Sequence, residues 1–315
     1  MKIVILDSAT LGEDIDLSPI YDIGEVTEYK TTSPSEVEER LISADTVMVN
    51  KIKLNESNLK NAAHLRLICV TATGYDNIDT EYCRSHGIAL CNVPSYSTDS
   101  VAQITVAMAL SLVCRLNDYT SFVSSGKYSE TGLANRLIPV YHEMSSMTWG
   151  IVGGGAIGSR VAEIATALGC RVIICRQRKD ERYENADIDT LCQTADIISL
   201  HIPLTENTAG MIDRERIKRM KKGAIVINVA RGAVADEAAL AEAIESGHLG
   251  GIGVDVYSKE PFDSSHPFSR ISSLPNVLLT PHMAWGAAEA RERCVETVSK
   301  NILGFIEQKN TNRIV

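Results

Sequence analysis

Gly153, Gly155 and Gly158 fill a G-x-G-x-x-G pattern within Gly153-Gly154-Gly155-Ala156-Ile157-Gly158. A short apolar run, residues 150–152, precedes it. An amphipathic stretch with Ile157, Val161, Ile164, Ala165 and Leu168 follows it. Strand, tight turn and helix are therefore predicted in that order, the context that gives the pattern meaning. The first glycine permits the turn, the second lets backbone approach a pyrophosphate, and the third lets helix and strand pack closely. The first helical amides, those of Gly155, Ala156, Ile157 and Gly158, then face an anion from the positive end of the helix.

The next strand, residues 172–175, ends in Arg176-Gln177-Arg178-Lys179, with no carboxylate before Asp180. An NAD site uses an acidic residue at this corner to accept hydrogen bonds from the ribose hydroxyls. Three cations suit a 2′-phosphate instead. One charge-assisted bond contributes about 1.5–3 kcal/mol, enough to set a preference. NADP is expected ahead of NAD, through Arg176, Gln177 and Arg178, with NAD still possible. A solvated basic turn is the alternative reading.

Three further strand ends carry polar residues. Asn228-Val229-Ala230-Arg231-Gly232 closes one, Asp255-Val256-Tyr257-Ser258-Lys259-Glu260-Pro261 another, and Thr280-Pro281-His282-Met283-Ala284-Trp285 the last. Ligands of open α/β sheets bind at the carboxyl edge, so an arginine, a glutamate and a histidine converge there. Arginine holds a carboxylate in a planar fork. Histidine titrates near neutrality and can act as general acid or base. A carboxylate beside it favours the imidazolium and fixes its orientation. Each motif alone has a blander reading: a Pro-His turn, a loop salt bridge at Arg231, a Glu-Pro turn. His64, His86, His142, His248 and His266 lie away from this edge and read as structural.

The elements that must position these groups alternate. Strands are predicted at residues 3–6, 46–49, 67–70 and 89–92, with helices between them. One helix, residues 34–42, has Ser33 as its cap and Pro34 at its first position. A long apolar helix covers residues 98–116, and 117–147 reads as irregular and polar. After the glycine turn, strands follow at 197–201, 224–229, 252–256 and 277–280, then a terminal helix at about 287–306. Alternation of strand and helix implies parallel sheets. The expected fold is α/β, with two Rossmann-like or flavodoxin-like parallel-sheet domains flanking a cleft. The first, substrate-binding domain is drawn as 1–98 plus 287–315. The second, dinucleotide-binding domain is drawn as 99–286.

Bulk properties agree with a soluble enzyme. The chain has 315 residues, 44% hydrophobic and 23% charged, with a net charge of −9. That charge offers no footprint for nucleic acid or an anionic membrane. No apolar stretch approaches the roughly 18 residues of a membrane span, and the first strand is too short for a signal-peptide core. The eight cysteines are scattered, without zinc spacing, so reduced thiols, no metal site and a cytoplasmic location are expected.

Taken together and in order, these motifs resemble the D-isomer-specific 2-hydroxyacid dehydrogenase family over nearly the whole chain. Thr71-Ala72-Thr73-Gly74-Tyr75-Asp76-Asn77-Ile78-Asp79 looks like its substrate loop, and Tyr96-Ser97-Thr98-Asp99-Ser100-Val101-Ala102-Gln103 like the start of its interdomain helix. Leu200-His201-Ile202-Pro203-Leu204-Thr205 and the Arg231, Glu260 and His282 motifs also fall in the family order. Pro281-His282-Met283-Ala284-Trp285 and the ending Asn312-Arg313-Ile314-Val315 look most like its glycerate dehydrogenase/hydroxypyruvate reductase branch. The departure is Arg176, where many members carry Asp or Glu.

The resemblance implies hydride transfer between NAD(P)H and a small 2-keto acid, giving a D-2-hydroxy acid. Arg231 would bind the carboxylate and polarise the carbonyl, His282 would supply the proton, and Glu260 would tune the histidine. Backbone of Ala72, Thr73 and Gly74 would take the other side of the carboxylate. His201, Pro203, Val229, Ala230, Asp255, His282 and Ala284 would line the cofactor, with Asp255 toward the carboxamide. Lys51 either binds a carboxylate or is solvated. Trp285 either closes the pocket or packs at a subunit interface. The long helix and residues 117–147 imply a homodimer, as in the family. Two rivals remain: a formate- or phosphonate-type dehydrogenase on the same scaffold, and a nucleotide-sensing, co-repressor-like binding protein.

Overall fold

The computed structural model describes residues 1–178 and 181–315. Lys179 and Asp180, part of the basic corner, lie outside the described residues. The chain forms two compact units, Met1–Ser97 with Gly286–Val315, and Thr98–Trp285.

The first unit holds five parallel strands: β1 (Lys2–Ile5), β2 (Glu25–Glu28), β3 (Thr46–Val49), β4 (Leu67–Val70) and β5 (Ala89–Cys91), in the order β2-β1-β3-β4-β5. Every residue of β3 and β4 is buried, the signature of strands covered on both faces by crossover helices. Strand β2, Glu-Val-Thr-Glu, was not expected. It is a mostly exposed edge strand with no apolar run, and pairing with β1 (Lys2 opposite Glu25) defines it. The helix expected at 34–42 is shorter, Val37–Leu41. Ser33 does not cap it. Its N–H and O–H both donate to Glu36 Oε2, at 2.8 and 2.6 Å, and this holds 33–36 as a turn. The terminal helix, Ala288–Ile306, buries Cys294, Val298 and Ile302 in this unit.

The second unit holds seven parallel strands: β6 (Thr148–Val152), β7 (Arg171–Cys175), β8 (Glu184–Asn185), β9 (Ile197–Leu200), β10 (Ile225–Asn228), β11 (Gly251–Val254) and β12 (Val277–Leu279). Their order is β12-β11-β10-β9-β6-β7-β8. Chain direction through the sheet reverses between β6 and β9, a topological switch point where α/β sheets bind ligands. Helix Thr98–Val113 lies against β11, and two glycines let it approach. A Cβ at Gly253 would stand 3.0 Å from Met108 Sδ, and one at Gly251 3.0 Å from Leu112 Cδ2. Residues 117–147 are not irregular throughout, since helices occupy Leu116–Ser124 and Lys127–Thr131. Gly126, Gly132 and Pro139 masked the short apolar period of Leu116, Tyr119, Phe122 and Val123.

All eight cysteines are free, six of them buried. Burial pushes the Cys192 and Cys294 thiols up to about 12, so neither offers a thiolate nucleophile at neutral pH. Among the described residues no single helix is long and apolar enough to cross a membrane.

Candidate active site

The glycine turn after β6 is built by close approach. Gly153 has φ +101°, and a Cβ there would stand 2.4 Å from the His201 carbonyl oxygen. At Gly158 it would stand 1.9 Å from the Gly153 carbonyl oxygen, which locks helix Ala156–Ala167 onto the turn. At Gly155 it would meet nothing within 4 Å. Gly155 caps the helix without a side-chain acceptor, so no cap side chain satisfies the first-turn amides at the positive helix end.

Arg176 leaves β7 and crosses this turn. A Cβ on Gly154 would lie 2.7 Å from Arg176 Cδ and 3.0 Å from its Cζ, so the guanidinium rests against the glycine loop. Gln177 and Arg178 beside it are exposed.

His201 closes the other side. Ser199 Oγ accepts the Trp149 indole N–H at 3.0 Å, so its own proton is directed to His201 Nε2, 2.9 Å away. Nδ1 then carries the ring proton. That atom is buried and lacks a partner. Burial pushes His201 down to about 3, so the ring is a neutral donor at physiological pH. A buried donor without an acceptor, beside an open anion turn, fits a bound polar ligand. Pro203, on the same segment, is exposed. These residues fit a dinucleotide.

Arg231, Glu260 and His282 follow β10, β11 and β12, which are neighbours in the sheet. Asn228, almost fully buried, shapes the first turn. Its Oδ1 accepts the Ala230 N–H (3.0 Å) and its Nδ2 donates to the Arg231 carbonyl (2.9 Å). Val229 and Ala230 are thereby held at the strand end. Arg231 Nη1 donates to the Ala230 carbonyl at 2.8 Å. Gly232 is required for the next contact, because a Cβ there would stand 2.0 Å from the Tyr257 carbonyl carbon.

Tyr257 links the other two groups. Its N–H donates to Glu260 Oε1 at 2.9 Å, and its hydroxyl donates to the Thr280 carbonyl at 2.9 Å. Burial raises this phenol well above its ordinary range. Glu260 Oε2 accepts from His282 Nδ1 at 2.6 Å, with the two side chains 31% and 26% exposed. The bond engages Nδ1 and fixes the orientation of the ring.

The backbone under His282 is held in an unfavourable state. His282 has φ +52°, and a non-glycine residue there costs on the order of 1 kcal/mol. Asp255, 1% exposed, offsets this with three bonds to the same turn: from Thr280 Oγ1 (2.6 Å), Met283 N–H (2.9 Å) and Ala284 N–H (2.9 Å). Trp285 adds a fourth constraint, its indole N–H donating to the His282 carbonyl at 2.9 Å. Asp255 and Trp285 thus both hold the His282 turn, a role their sequence positions did not signal.

The remaining candidates lie in the first unit. Lys51 follows β3 in a turn organised by Asp7, which was missed. The buried Asp7 carboxylate accepts the Asn50 and Lys51 N–H groups at 2.9 and 2.7 Å, and burial raises it above its ordinary value despite these bonds. The 72–74 loop is fixed by its carbonyls. Val93 N–H donates to Ala72 (3.0 Å) and Asn92 Nδ2 to Thr73 (2.7 Å), with Asn92 in turn held by Asn301 at 2.9 Å. No group of three or more His, Cys, Asp or Glu suited to a metal occurs among the described residues.

The second unit thus places a glycine turn at the switch point of its seven-stranded sheet and a His–Glu pair at the same carboxyl edge. Residues 106–284 match the model for the D-isomer specific 2-hydroxyacid dehydrogenase NAD binding domain. The chain is 33% identical over 312 residues to glycerate dehydrogenase of Methylorubrum extorquens, covering 99% of this chain and 98% of that one. It is 32% identical over 322 residues to hydroxypyruvate reductase of Blautia hydrogenotrophica, covering 99% of each. Glyoxylate reductase of Thermococcus litoralis is 38% identical over 260 residues, 80% of this chain and 77% of that one. Among solved structures, D-lactate dehydrogenase of Aquifex aeolicus with NAD and lactic acid matches with TM-score 0.87 and 30% identity, covering 98% of this chain and 96% of that one. An acyclic imino acid reductase with NADPH and D-Arg matches with TM-score 0.87 and 28% identity over both full chains. The chain belongs to the D-isomer specific 2-hydroxyacid dehydrogenase family.

Proposed function

We propose that this protein is an NADPH-preferring reductase of small 2-keto acids, glyoxylate or hydroxypyruvate first, forming the D-2-hydroxy acid. The observation that carries the reaction is the 2.6 Å bond between Glu260 and His282 Nδ1. Holding Nδ1 orients the ring so that Nε2 serves as the general acid. Arg231 binds the substrate carboxylate in its planar fork and polarises the adjacent carbonyl. The backbone of Ala72, Thr73 and Gly74 takes the other carboxylate oxygen, Lys51 adds positive charge, and Trp285 borders the pocket. His282 delivers its proton to the carbonyl oxygen, and Glu260 holds the resulting imidazole in place. The dinucleotide, when bound, supplies the hydride that reaches C2. Gly153–Gly158 and His201 hold it, with Pro203, Val229, Ala230, Asp255 and Ala284 along its path. Arg176, Gln177 and Arg178 receive the 2′-phosphate. The names of the glycerate, hydroxypyruvate and glyoxylate relatives support the substrate class.

Oxidation of NADPH and NADH, each with glyoxylate, hydroxypyruvate and pyruvate, tests this reading. Faster turnover with NADPH on one acid is expected. Turnover with NADH alone would remove the cofactor preference. No turnover with either, in protein that binds the dinucleotide, would defeat the keto-acid reading. The acyclic imino acid reductase neighbour makes reduction of the corresponding imines the second reading, assayed by adding an amine to the same acids.

We also propose a homodimer through residues 116–141. Leu116, Val123, Leu133, Leu137, Ile138, Val140 and Tyr141 are all exposed there, and so concentrated an apolar surface marks an interaction site. Light scattering at micromolar concentration should give twice the chain mass. A monomer would refute this, and Leu137→Glu with Val140→Glu should produce one.

A further inference from the structure

The loop that carries Glu260 is anchored by a carboxylate outside the His282–Glu260 pair. Glu237 stands in the first turn of helix Glu237–Glu245, whose cap Asp236 accepts the Ala239 N–H at 2.9 Å. The Glu237 side chain is 10% exposed and collects three donors. Ser258 gives its N–H (2.9 Å) and its hydroxyl, and His266 Nε2 lies 3.1 Å away. The His266 side chain is itself 7% exposed. Its Nδ1 accepts the Phe268 N–H at 3.2 Å, so the ring proton sits on Nε2 and points at Glu237. Tyr257, Phe262 and Phe268 surround the imidazole, with ring centroids 5.9, 4.7 and 5.1 Å away. One carboxylate therefore ties down both Ser258 and His266, and Glu260 lies between those anchors. Ser258 also directly follows Tyr257, whose N–H holds Glu260 Oε1.

We infer that Glu237 and His266 are positioning residues for the Glu260–His282 pair, fixing residues 257–268 so that Glu260 Oε2 meets His282 Nδ1. This rests on the proposed role of that pair. Neither residue touches the reacting atoms, and sequence reading assigned His266 a structural role. A preorganised catalytic pair needs such support, because a small misplacement of a charge-assisted bond is costly to rate. If the two residues merely hold a surface loop, their loss lowers stability and leaves His282 unchanged.

The test compares Glu237→Gln and His266→Phe with the wild type and with Glu260→Gln. It reads the low-field proton resonance of the His282 Nδ1–H, assigned by its loss in His282→Gln, together with kcat and KM for the best keto acid. Both variants should shift or abolish the resonance. Both should lower kcat about tenfold with little change in KM for NADPH, the pattern of a group felt in the transition state. On a Glu260→Gln background neither should lower kcat further. Folded variants with an unmoved resonance and wild-type kcat, whether or not their melting temperature falls, would overturn the inference, as would full additivity with Glu260→Gln. If Glu237→Gln does not fold, Ser258→Ala removes one donor and decides the same way. If Glu260→Gln itself leaves both the resonance and turnover intact, the catalytic reading of the pair is what fails.

Discussion

His282→Gln is expected to lower kcat for keto-acid reduction by about 10²–10⁴-fold, the usual contribution of a positioned general acid. The glutamine keeps a polar group of similar reach but cannot give up a proton as an acid. Binding of NADPH should be nearly unaffected, because Gly153–Gly158 and Arg176 directly follow β6 and β7, which are separated from β12 in the sheet. Steady-state kinetics with a fluorescence titration of NADPH separates the two effects. A variant with wild-type kcat, or one that has lost NADPH binding equally, would remove His282 from the proton-transfer role.

Arg176→Asp with Arg178→Ala is expected to move the NADPH/NADH ratio of kcat/KM toward NADH by about 10- to 100-fold. The estimate is the loss of one charge-assisted bond, about 1.5–3 kcal/mol, at 1.4 kcal/mol per tenfold change. The new carboxylate also repels a 2′-phosphate and can accept from the ribose hydroxyls of NADH. Arg176 is only partly buried and Arg178 is exposed, so stability should change little. The melting temperature of the variant checks this. If the ratio barely moves while both cofactors still bind, the basic corner is a solvated turn. The position of Arg176 across Gly154 makes it the decisive member of the pair, and the single variants should show Arg178→Ala as the weaker.

Much of this site was legible because its signals are local. The glycine spacing demands a turn whose backbone closes on itself, and contacts at Gly153 and Gly158 show that demand met by carbonyl oxygens rather than flexible side chains. Arg231, Glu260 and His282 were visible as polar residues just past apolar runs, and runs buried on both faces announce themselves by composition. Edge elements were not legible. Strand β2 carries glutamates at both ends and β8 is two residues long, so neither has a pattern of its own. The shortened helix at Val37–Leu41 was misjudged because Pro34 suits a turn as well as a first helical position.

The sequence by itself determined the two parallel-sheet units, the glycine turn, the basic corner after β7 and the placing of Arg231, Glu260 and His282 just past strand ends. Each follows from residue chemistry and periodicity within a few positions. Only tertiary structure decided how those groups are held. Asn228 shapes the Arg231 turn, Tyr257 connects Glu260 to the Thr280 carbonyl, Asp255 stabilises the left-handed backbone at His282, and Glu237 gathers Ser258 and His266 from 21 and 29 residues away. A buried polar side chain must find partners wherever the fold brings them. Those partners come from different strands and helices, and no local pattern records which they are.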